Sequence, residues 1–158
     1  MPVVTYFFAY GERMNPERML SDVPGATRVG PARLEGYRLE FNVTSRSWGG
    51  GAVNAVLDPR GHLWGVLWKV DGDAFQAIDS FRGDELGARL VLDVVVAGPE
   101  GEELAWTYAV DTRESFVQPE ERYVDMLLAV AADQGLPQDA LDEIQIARQG
   151  PRDSAPSI

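Results

Sequence analysis

The chain has no cysteine, which excludes disulfides, thiol catalysis and cysteine-ligated zinc and fits a cytoplasmic location. It has one histidine, His62. A Ser-His-Asp triad therefore uses that residue or does not exist, and a multi-histidine metal site is excluded. The acidic residues show no recognised ligand spacing, so neither a metal nor a cofactor is expected. Positive charge is scarce too: 14 Lys and Arg stand against 25 Asp and Glu, a formal net charge of -11. Phosphate binding needs clustered cations, so nucleic acid is not an expected partner, and an anionic membrane surface is disfavoured for the same reason. Long apolar runs are missing. The stretch from Val3 to Ala9 is too short to span a bilayer and lacks the basic flank of a signal peptide.

What remains describes one domain. The 158 residues are 45% hydrophobic and include four Trp, enough for a packed core. The domain is expected over 1–148, with a polar, proline-bearing tail at 149–158 that stays flexible.

Val3 to Ala9 reads as a strand buried on both faces and ended by Gly11. Asn15-Pro16-Glu17 supplies a cap, a first-turn proline and an early acid, so a short helix follows and stops at Val23-Pro24-Gly25. Tyr37, Leu39, Phe41 and Val43 alternate with Arg38, Glu40, Asn42 and Thr44, which predicts a strand with the second set in water. Ala52 to Leu57 is a strand, Asp58-Pro59-Arg60-Gly61 a turn, and His62 to Val70 a returning strand. Asp71 caps a helix carrying Phe75, Ile78 and Phe81 on one face. Leu90 to Ala97 and Leu104 to Val110 form a hairpin about Gly98-Pro99-Glu100-Gly101. Pro119 opens a helix with Tyr123, Met126, Leu127 and Val130 inward, closed by Gly135. A last helix runs from Pro137 to about Arg148. Strands joined mostly as hairpins and interrupted by single helices predict an α+β fold with an antiparallel or mixed sheet.

Several residues carry candidate chemistry, each with a plainer reading beside it. His62 begins a strand next to a turn, where exposure is the ordinary outcome. Trp48-Gly49-Gly50-Gly51 offers backbone N–H groups to an anion, yet it lacks a P-loop's Lys-Ser/Thr, and close backbone approach explains the glycines equally well. Tyr10-Gly11-Glu12-Arg13 follows a buried strand, where ligand groups gather; it also reads as a charged turn. Arg82 before Gly83 suits a helix C-terminus. Tyr123, at helical spacing from Met126 and Leu127, suits a core.

In order along the chain, Tyr6-Phe7-Phe8-Ala9-Tyr10-Gly11, Val29-Gly30-Pro31-Ala32-Arg33-Leu34 and Trp48-Gly49-Gly50-Gly51-Ala52 are followed by Trp64-Gly65-Val66-Leu67 and Ile78-Asp79 with Gly83. Thr107-Tyr108, Pro119 to Tyr123 and Gly135-Leu136-Pro137 complete the series. The series resembles the γ-glutamylcyclotransferase and AIG2-like family from about Tyr6 to Ile146. The resemblance implies a bent mixed β-barrel flanked by helices, with a pocket at one end. It also implies conversion of γ-glutamyl amides to 5-oxoproline and a free amine, the substrate's own α-amine attacking its γ-carbonyl. That reaction needs no cofactor, only a base to move a proton from the ammonium to the leaving amine.

The family holds that base, a glutamate, in Leu-Asp-x-x-Glu-Gly. This chain reads Ile78-Asp79-Ser80-Phe81-Arg82-Gly83. A guanidinium has no acceptor and stays protonated, so Arg82 is no base. The family's Tyr-Gly-Ser-Asn loop reads Tyr10-Gly11-Glu12-Arg13, and Arg89 stands where a tyrosine is usual. No catalytic residue is assigned. The expected substrate-binding set is Tyr10, Gly11, Glu12, Arg13, Arg82 and Tyr123, with Glu12 and Arg82 able to pair across one pocket or Arg82 left to bind a ligand carboxylate or phosphate bidentately. The expected function is a small-molecule-binding or non-catalytic relative of the cyclotransferases, acting as a monomer or homodimer. The alternative is an enzyme of altered chemistry on a small amino-acid-derived or anionic substrate, with Glu12 as a relocated base.

Overall fold

The computed structural model of the chain describes residues 3–74, 76–78, 89–112 and 114–150. Five strands close into a barrel in the order β1-β3-β2-β4-β5. β1 is Val4–Ala9, β2 Thr27–Thr44, β3 Gly51–Asp71, β4 Arg89–Gly98 and β5 Gly101–Val110. Pairing is antiparallel except at the closing seam, where β1 meets β5 in parallel at Phe7 and Trp106. That seam is short in backbone pairing, and side chains hold it. Thr107 donates to the Phe8 carbonyl at 2.7 Å, Trp106 Nε1 donates to Thr5 Oγ1 at 3.1 Å, and the Phe7 and Trp106 rings lie 4.7 Å apart.

Helix α1, Pro16–Asp22, forms where the cap and proline predict it, and Asn15 Oδ1 accepts from the Glu17 N–H at 2.9 Å. Helices α2, Glu121–Asp133, and α3, Gln138–Ala147, pack on the barrel. The inward face of α2 is Tyr123, Val124, Leu127 and Ala131, with Met126 and Val130 half-buried at its edge. Gly135 takes φ 82°, the left-handed conformation of a helix stop. Phe8, Phe41, Trp68, Leu67, Ile78 and Leu127 centre one continuous core, each contributing about 1.5–3 kcal/mol by its burial.

Four expectations need correcting. The Asp58–Gly61 segment does not reverse the chain. Both halves of β3 pair with β2 in one direction, Leu57 opposite Tyr37 and His62 opposite Glu35. The turn chemistry is real, since Asp58 Oδ1 accepts from the Arg60 N–H at 3.1 Å, but it makes a bulge against Gly36 and bends the barrel. Asn42 is buried rather than in water, because the register slips between Phe41 and Val43. Asp71 is the last residue of β3 rather than a cap, and the first helical hydrogen bonds run to the Asp73 carbonyl. β1 is buried on both faces only at Phe7, Phe8 and Ala9; Val4 is exposed. Phe75, Phe81 and the tail residues 151–158 lie outside the described residues. Among those described, no helix is long and apolar enough to cross a membrane.

Candidate functional site

β1 ends at Ala9, and the chain continues as Tyr10, Gly11 and a 3₁₀ turn over Glu12–Met14. Beyond that point, among the described residues, no strand pairs backbone to backbone with the first half of β3 on that side, so the N–H groups of Val53 and Ala55 need other acceptors. Two tyrosines supply them. Tyr123 Oη accepts from Val53 N at 3.2 Å, and Tyr10 Oη accepts from Ala55 N at 3.2 Å while donating to the Tyr108 carbonyl at 2.5 Å. Between them Asn54 bonds Val110 through both ends of its amide, at 2.9 and 2.8 Å. Tyr10 and Tyr123 thus converge on one stretch of β3. Gly11 completes the approach, since a Cβ there would sit 3.2 Å from the Val53 side chain.

The two charged residues of the loop have their partners in α1. Arg13 is 4% exposed, and its Nε lies 2.8 Å from Asp22 Oδ2. Arg18 reaches the same oxygen at 3.0 Å and holds Glu12 Oε2 at 2.9 Å. The result is an alternating chain, Arg13–Asp22–Arg18–Glu12, of two cations and two anions. Sequence reasoning named Glu12 and Arg13 but missed Arg18 and Asp22. Their four-residue spacing on a helix that starts at Pro16 was the available signal. Arg82 lies outside the described residues, as does the Arg89 side chain.

A small cavity of about 20 Å³ lies at this loop, between β1, Tyr10 to Arg13 and the Thr107–Tyr108 edge of β5. On its own it has room for about one water. A larger cavity, about 270 Å³, opens between Asn54–Leu57 of β3 and Ala109–Thr112, and Asn42 lines it. Asn42 Oδ1 is buried with no hydrogen-bond partner among the described residues, a state that costs about 1–3 kcal/mol unless something donates to it.

The glycine loop serves the fold. Gly51 N donates to the Gln118 carbonyl at 2.9 Å, and a Cβ at Gly51 would fall 1.9 Å from the Val117 carbonyl oxygen. Close backbone approach thus accounts for Gly50 and Gly51 and a φ of 84° for Gly49, and Trp48 packs on Tyr123 at 5.2 Å beneath the Arg122 guanidinium. His62 docks α3. Its Nε2 lies 2.6 Å from Asp139 Oδ2, which also accepts from Trp64 Nε1 at 3.0 Å. The Trp64 hydrogen bond, aided by His62, holds the Asp139 carboxyl below its ordinary value. No group of three His, Asp or Glu able to hold a metal ion stands together among the described residues.

The closed five-stranded mixed barrel of this connectivity has counterparts among solved structures. A solved structure of a γ-glutamyl cyclotransferase superposes with a TM-score of 0.82 at 27% identity, over 99% of this chain and 94% of that one. The sequence profile of the AIG2-like family matches residues 62–144. The human γ-glutamylcyclotransferase is 29% identical over 143 residues, 88% of this chain and 76% of the relative. The bovine γ-glutamylcyclotransferase is 30% identical over 135 residues, 83% and 72% respectively. The chain belongs to the γ-glutamylcyclotransferase/AIG2-like family.

Proposed function

We propose that this chain is a small-molecule-binding member of the family that has lost conventional cyclotransfer. The observation that carries the reading is the Arg13–Asp22–Arg18–Glu12 ion chain. The loop that the family resemblance assigns to the substrate is here built into a charge network of the protein's own, with Arg18 engaging Glu12. The network is buried at Arg13–Asp22 and partly exposed at Arg18–Glu12, and its buried pair fixes loop geometry more than it adds stability.

The second support is Arg82, which by the resemblance of Ile78-Asp79-Ser80-Phe81-Arg82-Gly83 to the family's motif takes the place of its glutamate. Cyclisation requires an acceptor for the ammonium proton, and a guanidinium offers none. It also repels the ammonium. The alternative, with Glu12 as relocated base, is disfavoured because the carboxylate is already paired with Arg18, while a general base must be held within hydrogen-bond reach of the proton it takes.

The test restores the missing group. Purified wild type and Arg82→Glu are incubated with γ-glutamyl amino acids, and 5-oxoproline is quantified. The expected result is silence from wild type and measurable turnover from the variant. A wild type that is active, and whose rate Arg82→Glu leaves unchanged, contradicts the reading.

A further inference from the structure

Among the described residues the barrel closes at one backbone bridge, Phe7 to Trp106. Towards the start of β1 the two parallel strands part. A groove of about 350 Å³ opens there between residues 4–6 and 103–106, with Asp93 of β4 at its side. Trp106 Nε1 reaches across to Thr5 Oγ1 at 3.1 Å. None of the ion-chain residues lines this groove.

The groove has an open backbone edge. Thr107 donates to the Phe8 carbonyl, so the main-chain groups of Phe8 point at β5. In an extended strand those of Tyr6 and Val4 point the same way, while the alternate residues serve β3. Among the described residues no strand pairs with Val4 on the β5 side. Such an edge is a template for another extended chain.

The side chains around the edge set the chemistry. Val4, Val95 and Leu104 are exposed, and Val95 stands opposite Leu104. Asp93 stands opposite Trp106 on the same face, and Glu103 also lines the groove. Carboxylates beside exposed aliphatic surface suit a partner that brings cations and apolar side chains together. The net charge of -11 favours the same sign. A second copy of the chain is the poorer occupant, because a two-fold interface sets Asp93 and Glu103 against their own images.

We propose that this groove docks an extended peptide segment carrying both basic and apolar residues. Its main chain pairs with the edge at Val4 and Tyr6, its apolar side chains lie on Val95 and Leu104, and its cations face Asp93 and Glu103.

The full-length protein at physiological salt is titrated with acetyl-Val-Lys-Val-Lys-Val-amide and followed by amide-resolved NMR. Saturable shifts are expected at Val4, Tyr6 and Leu104, and none with the peptide in which glutamate replaces both lysines. Two further peptides carry N-methyl groups on the valine amides or on the lysine amides. A strand pairs through alternate residues, so one of the two keeps its affinity and the other loses about tenfold, the effect of two or more main-chain hydrogen bonds. Leu104→Lys, at a position 69% exposed and so compatible with folding, abolishes binding. Leu20→Lys on α1 makes the same change of net charge and leaves binding intact. The proposal is overturned by the absence of saturable shifts with the lysine peptide, by equal binding of the lysine and glutamate peptides or of the two methylated ones, or by binding that survives Leu104→Lys. Shifts at the same amides that grow with protein concentration alone overturn it too, and assign the groove to a second copy.

Discussion

At the scale of single residues, the positions that matter most for the site are the ones whose atoms have nowhere else to go. Gly51 is the clearest. A methyl group there meets the Val117 carbonyl oxygen at 1.9 Å, and backbone cannot yield as a side-chain end can. Gly51→Ala is expected to cost about 2–4 kcal/mol in urea unfolding. Gly135→Ala, with open space but φ 82°, is expected to cost only about 1–2 kcal/mol. Equal costs for the two would sink the close-approach explanation. Asp22 is the second case. Its side chain is 4% exposed and holds two arginines, so Asp22→Asn leaves the buried Arg13 without its counter-charge. A loss of about 3 kcal/mol is expected, measured by the shift in denaturation midpoint; a loss below about 1 kcal/mol would mean the network is peripheral. Sequence made Glu12 and Arg13 visible as departures from the family loop. Their partners stayed hidden because an ion pair between a turn and the next helix depends on an entry angle that no local pattern encodes.

At the scale of elements, what was legible was what local chemistry decides. Pro16 after Asn15, the Gly98–Gly101 turn and the apolar spacing of α2 each specify their structure within a few residues, and each element formed there. β2 and β3 were read short because their continuity is a tertiary fact. Asp58-Pro59-Arg60-Gly61 has hairpin composition, yet β2 runs past it on the same side with Gly36 opposite, and the turn becomes a bulge. Asn42 was placed in water by strict alternation, and a register slip put it inside. The docking of α3 was likewise illegible, since His62, Trp64 and Asp139 come together from residues about 75 apart. That contact carries a pH dependence. The Asp139 carboxyl is held below its ordinary value of 3.8, first by Trp64 and then by His62. A depressed folded value stabilises the fold above the unfolded value, and this contribution is lost as pH falls below about 3.8 through the folded value. Stability measured from pH 5 down to pH 2 should fall more steeply for wild type than for Asp139→Asn. Parallel curves would remove the Trp64–Asp139–His62 contact from the stability of α3 docking.

At the scale of the whole molecule, the barrel is that of the family, and the function proposed above changes the chemistry at one end of it. Charge counts at this scale as well. The acid excess that makes nucleic acid a poor partner also sets the sign of ligand the molecule concentrates near itself. Fold and family membership do not carry a reaction with them, because the reaction lives in a few groups held in one geometry. In this chain Tyr10 and Tyr123 brace β3 through Ala55 N and Val53 N, and the loop after Tyr10 is tied to α1 by ion pairs. The function proposed above requires that Glu12, paired with Arg18, does not take an ammonium proton and that Arg82 cannot. The most direct test is 5-oxoproline release from γ-glutamyl-alanine by the wild-type protein between pH 6 and 9. The account predicts no release above the buffer control at any pH. Release that disappears in Glu12→Gln would contradict it and place the base at Glu12.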